Sequence, residues 1–287
     1  MLLAICLFLT VFFVAWGGIH LLLPQLWWLF GRAAGGFARL AFGSDRLARW
    51  RERGAARFKP LHPYRRVLAV GAAGFLAAAV IGAGFLALAE EVRESSPAVQ
   101  RVDHHLWELA RTHRTDGRTA FFLAFTYLGT PVGLGAVVVS TGVLLAARGF
   151  RRLPLFLAAS SLSAWGLNAL LKAVFARARP DLTLAVRTSS GYSFPSGHAM
   201  MSLCTFGALV YVVSRISDRR RVQSFWAALA LTLVLAISAS RVYLGVHWTS
   251  DIAGGWAAGL VWLAASIATY EVFRRLRLLR DTSAGGG

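Results

Sequence analysis

Between residues 172 and 251, three polar clusters interrupt nearly continuous apolar sequence. They read Lys172-Ala-Val-Phe-Ala-Arg-Ala-Arg179-Pro180, then Pro195-Ser196-Gly197-His198, then Ser240-Arg241-Val-Tyr-Leu-Gly-Val-His247-Trp-Thr-Ser-Asp251. Each stands at the edge of an apolar run, where an ionisable side chain is costly and needs a reason. The runs themselves are long enough to span a bilayer, which takes about 20 helical residues. The fold expected is therefore all-α, a polytopic membrane helix bundle of six core transmembrane helices plus an extra N-terminal one.

Working outward from these clusters, the composition agrees. Hydrophobic residues make up 56% of the 287, and the mean hydropathy of +0.56 is that of an integral membrane protein. A net charge of +18 would point to nucleic acid in a soluble chain. Here the basic residues fall in short blocks between apolar runs, the positive-inside pattern, so no nucleic-acid partner is expected. The two cysteines, Cys6 and Cys204, lie in apolar runs and mark neither a disulfide framework nor a metal site.

Residues 1–30 contain a first apolar run with no basic residue before it and many after it. That is the reverse of a signal peptide, so an extra transmembrane segment is expected. Residues 31–66 form a basic cytoplasmic linker, either an interfacial helix carrying Phe37, Leu40, Leu47 and Trp50 on its apolar face or a solvated loop. The core domain, 67–273, holds spans at about 67–89, from Phe121 or Gly133 to Arg148, then 155–175, 198–213, 225–240 and 251–273. After Pro97, the spacing of Val99, Val102, Leu106 and Leu109 predicts an amphipathic helix on the outer face. His104, His105 and His113 on it read as solvated, since a metal needs converging ligands. Residues 274–287 are a basic and then glycine-rich, disordered tail. Basic blocks at Arg148–Arg152, Arg215–Arg221 and Arg274–Arg280 mark inner ends, so all three polar clusters gather on the outer side.

A phosphoryl group in transfer carries charge on its equatorial oxygens and must be met by cations and N–H donors. Lys172, Arg179 and Arg241 supply cations, the two arginines as forks and the lysine as a point charge. Pro195-Ser196-Gly197 opens a helix whose first free N–H groups make an anion site, where Ser196 either donates its hydroxyl or caps the helix and Gly197 allows close approach. His247 and Asp251, four residues apart, share a face if helical, and the carboxylate then fixes one ring nitrogen and frees the other. This reads as a nucleophile at His247, forming a phosphohistidine, with Asp251 orienting it and His198 as general acid. Only Asp181 and Asp251 lie near the clusters, too few for two metals, so the chemistry is expected to need no metal or cofactor.

With these residues in hand, the chain resembles the type 2 phosphatidic acid phosphatase superfamily of membrane lipid phosphatases, whose motifs are Lys-x6-Arg-Pro, Pro-Ser-Gly-His and Ser-Arg-x5-His-x3-Asp. Lys172, Arg179 and Pro180 match the first, Pro195 to His198 the second, and Ser240, Arg241, His247 and Asp251 the third. The resemblance covers roughly residues 67–273. It implies six core spans, the same nucleophile and acid, and a membrane phospholipid or polyprenyl (di)phosphate substrate such as undecaprenyl diphosphate, phosphatidic acid or phosphatidylglycerol phosphate. The setting implied is an inner or plasma membrane with the site facing outward. Phosphotransfer to a second lipid would use the same motifs. A transporter or lipid-binding protein would need the cations but not the His247 and Asp251 pair.

Overall fold

The structure is a computed structural model that describes residues 65–284, with side chains described over 71–276. The expected segment at 1–30 with Cys6, the linker up to residue 64 and the final residues 285–287 lie outside the described residues. Among those described, the chain forms eight α-helices and no strand: α1 (Arg65–Arg93), α2 (Pro97–Thr112), α3 (Asp116–Leu128), α4 (Pro131–Ala147), α5 (Arg152–Phe175), α6 (Gly197–Ile216), α7 (Arg220–Tyr243) and α8 (Thr249–Ala284). A single 3-10 turn, Leu182–Leu184, lies in the long α5–α6 connection.

Five of these helices are long and apolar enough to cross a membrane, and α3 with α4 passes the same test as a pair bent by 54°. The two candidate starts of that span, Phe121 and Gly133, thus fall on either side of one break. Its cause is local. Pro131 cannot donate into a continuing helix, and Thr130 caps α4 by accepting from Gly133 N at 3.2 Å. Gly129 is needed at the elbow, because a Cβ there would lie 2.4 Å from Ile237 Cγ2 and 2.8 Å from His198 Cδ2. At the C-terminus α8 runs on through the basic block to Ala284, and the last three residues of the glycine-rich tail, expected to be disordered, lie outside the described residues.

Helices packed in lipid gain nothing from excluding water and rely on close fit. Along the α1–α8 contact, a Cβ on Gly74 would lie 2.5 Å from Ala268 Cβ, and where α8 meets the start of α6 one on Gly255 would lie 2.8 Å from Ser196 O, just before that helix. Gly255 and Gly259 thus form a small-residue face on α8 beyond Asp251. Phe194, Met200 and Ile237 fill the centre with no exposed surface. Phe75, Val80, Val132, Leu155, Leu162 and Val174 lie outermost and are mostly exposed, an apolar belt suited to hydrocarbon.

The bundle has two distinct ends. One gathers Arg93, α2, the 176–196 connection and the turn from Tyr243 to Trp248. Arg114 ties it together, donating to Tyr243 O at 3.0 Å and to Leu184 O at 2.6 Å. The other end packs Leu145 with Leu153, Phe156 and Val212 near the basic turns. α2 differs from expectation in the face it buries. Asp103 and Trp107 point inward, whereas Val102 and Leu109 are exposed, because the inward face meets a polar network described below.

Candidate active site

Every residue singled out from the three motifs lies at the first of these ends. Ala176 adopts the left-handed conformation (φ 45°) that stops α5, and the chain then doubles back, bringing Arg177 and Arg179 over the bundle. Lys172, in the last turn of α5, donates to Tyr192 O at 2.5 Å and Ser193 O at 3.3 Å. Ser196 precedes α6, and its backbone N–H bonds Asp251 O at 2.9 Å, which joins the second motif to the third. Its side chain makes no cap, and the buried Oγ has no partner among the described residues. Of the two uses open to Ser196, the structure therefore leaves the hydroxyl as a donor. A Cβ on Gly197 would come 3.0 Å from Asn168 Oδ1, so this glycine also answers to packing beneath the turn.

His247 is buried, with Nδ1 3.2 Å from Asp251 Oδ2 and Nε2 3.2 Å from Arg179 Nη1. The pair does not share a helical face, since His247 precedes α8. Asp251 instead closes the first turn of α8, accepting from Trp248 N at 2.8 Å, and this loop-to-helix turn aims the carboxylate back at the ring. Asp251 Oδ2 also accepts from Ser193 Oγ. Burial holds the His247 imidazole down to about 4, with Asp251 opposing and Arg241 and Arg179 adding to the depression.

Arg179 differs from the free fork expected. Its five donors reach Gly191 O, Val246 O, His247 Nε2, Ser190 O and Tyr192 O at 2.8 to 3.2 Å. It clamps the loop before the second motif against the ring. Arg241, 6% exposed, donates through Nη1 to Thr126 Oγ1 at 2.6 Å, and its buried Nε has no partner among the described residues. His198 Nε2 is likewise buried without a partner there. Asp181 stands apart, capping the 3-10 turn through Thr183 N at 2.9 Å.

Two residues in this cluster were not picked out from the sequence. Arg177 lies within the first motif at an unspecified position, yet its Nη1 donates to Asp251 Oδ1 and its Nη2 to Asp103 Oδ2, at 2.7 and 2.8 Å. Asp103, 1% exposed, comes from α2 and accepts Ser250 N at 2.8 Å. Its one sequence signal is a carboxylate one turn before Trp107 on the stripe that a surface helix buries. His104 packs edge-on against Trp248, centroids 4.8 Å apart, and His113, just past the end of α2, bonds Leu109 O at 2.9 Å, so the histidines of this segment do not converge.

An apolar pocket of about 530 Å³ between α4, α6 and α7 runs from Leu128 at the elbow to Arg148, Ile216 and Ser217 at the basic end, with no motif residue in its lining. A larger groove of about 800 Å³ between α5 and α8 lies towards the opposite end, from Trp262 to Arg152, away from the polar residues.

The comparisons with known proteins agree with this geometry. A family model described as the PAP2 superfamily matches residues 153–275, which include every motif position. Phosphatidylglycerophosphatase B of Bacillus subtilis is 36% identical over 96 residues, 33% of this chain and 47% of that protein. Undecaprenyl-diphosphatase of Sulfolobus acidocaldarius is 32% identical over 124 residues, 42% of this chain and 56% of that protein. The chain thus spans about half the length of these two relatives. The crystal structure of a transmembrane PAP2 type phosphatidylglycerolphosphate phosphatase from Bacillus subtilis superposes with a TM-score of 0.62 at 26% identity, covering 68% of this chain and 96% of that one. Residues 153–275 therefore match a PAP2 superfamily domain, in a chain whose described residues include several helices long and apolar enough to cross a membrane.

Proposed function

We propose that the protein is a lipid phosphate phosphatase, removing phosphate from a membrane lipid monophosphate or diphosphate without a metal, through a phosphohistidine at His247. One observation carries the reading. An arginine can only donate, so Arg179 Nη1 at 3.2 Å implies a lone pair on His247 Nε2 and leaves the ring proton on Nδ1, facing Asp251 Oδ2. That is the tautomer a nucleophile needs, held among cations.

In the first step Nε2 attacks phosphorus and the P–O bond to the lipid breaks, the departing oxygen taking a proton from His198. Asp251 stabilises the charge that develops on the ring. In the second step His198 takes a proton from water, the hydroxide attacks phosphorus, the P–N bond breaks and inorganic phosphate leaves. Lys172 and Arg241 meet the equatorial oxygens with the Ser196 hydroxyl and the N–H groups of Gly197 and His198 at the start of α6, and Arg179, its donors held by carbonyls and by His247, adds its positive charge beside them. The named activities of the relatives make phosphatidylglycerol phosphate and undecaprenyl diphosphate the first substrates to try, with phosphatidic acid as a simple monoester. Purified protein in detergent with excess EDTA is expected to release phosphate from at least one of the three. Folded protein that releases none would overturn the reading.

The basic turns at Arg148–Arg152, Arg215–Arg221 and beyond Arg274 lie at the opposite end of the bundle, which supports an outward-facing site in the plasma or inner membrane. A cysteine introduced at exposed Thr188 is expected to react with an impermeant maleimide in right-side-out vesicles. Labelling only after permeabilisation would reverse the orientation.

A further inference from the structure

Arg177 and Asp103 hold no assigned position in the motifs, and neither enters the two steps above. We infer that they are positioning residues which set the orientation and basicity of the His247–Asp251 pair, an inference that rests on the reading of His247 as nucleophile. Asp251 has no exposed surface, and a buried carboxylate must have both oxygens occupied. Its Oδ2 takes Ser193 Oγ, Trp248 N and His247 Nδ1. Its Oδ1 takes Arg177 Nη1 at 2.7 Å. The bonds to Oδ2 leave the second oxygen free to swing about them, and the bond from Arg177 fixes it.

Arg177 would in turn be an unbalanced cation beside the nucleophile. Asp103 balances it at 2.8 Å and also accepts both Ser250 N and Ser250 Oγ, so that one carboxylate from α2 fixes the guanidinium and the first turn of α8 together. The result is an alternating row, Asp103, Arg177, Asp251, His247, in which charge at one end is felt at the other. The charged and titratable groups around it are few. His247 faces Arg179 from the α5–α6 connection, His198 from α6 and Arg241 from α7, and Asp251 also feels Lys172. Four cations are thus met by two carboxylates, and α2 supplies one of them although it lies outside the domain matched by the family model.

A mere structural tether and this electrostatic row differ in sign. Removing the positive charge, Arg177→Gln, favours protonation of His247, whereas removing the negative one, Asp103→Asn, disfavours it. Opening a tether would hydrate the ring in both variants and raise its titration in both, since burial is what depresses it. The test follows the imidazole nitrogens of His247 by NMR in full-length, histidine-labelled protein in detergent, alongside kcat and KM. Arg177→Gln is expected to move the His247 titration up by about one pH unit and Asp103→Asn to leave it unchanged or lower it. In both, kcat is expected to fall by about 10-fold or more, with KM changed less than about threefold.

Arg177→Lys keeps the charge and is expected to restore the wild-type titration with part of kcat. His105→Gln, on the exposed face of α2, is the control for damage to that helix. A rise in the titration in both charge-removing variants, or no change in titration and kcat in either, would overturn the inference. The NMR readout needs no turnover, so the row can stand or fall separately from the phosphatase reading. If His247-dependent phosphate release persists while the titrations do not move as stated, only the row is lost.

Discussion

His247→Ala is expected to lower kcat for phosphate release by about 10⁴-fold or more, the loss typical of removing the nucleophile from a group that acts as a unit. The folded bundle should survive, because His247 lies in a turn and Asp251 and Arg179 keep their other partners when its ring is removed. Asp251→Asn is expected to cost nearly as much, through the lost orientation of the ring. Wild-type enzyme quenched during turnover of a phosphorus-labelled lipid should carry a protein-bound label that is stable to alkali and lost in acid, and His247→Ala should carry none. A variant that keeps more than about 1% of the activity, or a label that survives the substitution, would move the nucleophile elsewhere. The same residue sets the acid limit. With His247 held at about 4 by burial, the ring is unprotonated throughout the neutral range. The kcat/KM profile is then expected to stay level on its acid side until the pH approaches that value and to fall below it.

Arg241→Gln is expected to reduce kcat/KM by about 10²- to 10³-fold, the range for deleting one preorganised group that meets developing charge. The guanidinium is buried and anchored by Thr126 on one side, and it faces the cluster with an Nε that has no protein partner among the described residues. A buried donor in that position is stabilised by an anion and by little else. Arg241→Lys should recover only a small part of the loss, because a lysine can keep the charge but cannot both hold Thr126 and present a planar fork. Full recovery with lysine would mean that a point charge suffices and that the fork is unimportant.

Much of this was open to reading in the chain itself, for physical reasons that also explain the rest. Uninterrupted apolar runs reveal spans because lipid tolerates little else, and the basic turns order them, so α5 to α7 lie close to their expected bounds, while α8 runs on past its expected end at Phe273 to Ala284. Lys172, Arg179, Ser196, Gly197, His198, Arg241, His247 and Asp251 stood out as polar residues in apolar surroundings. Arg177 did not, being one more arginine beside Arg179, and Asp103 is 74 residues away from it, with no local pattern linking the two. The free-fork expectation for Arg179 missed the backbone carbonyls of residues 190–192, which only the folded connection brings within reach. The i, i+4 spacing of His247 and Asp251 was right for the wrong geometry: a capping turn closes the same distance that a helical face would.

The elbow between α3 and α4 settles the parity of the described chain. At about 1.5 Å per residue, neither half alone covers a hydrocarbon layer of about 30 Å. Counted as straight rods, the helices give five crossings, which would leave Arg65 and Ala284 on opposite faces. Yet α3 starts beside Tyr243, where Thr115 N bonds its hydroxyl, and α4 ends beside Leu153, so the bent pair covers the full height of the bundle and counts as a sixth crossing. An even number returns the chain to the face it left. Reporters placed at Arg65 and at Ala284 are therefore expected to share one compartment, across the bilayer from His247.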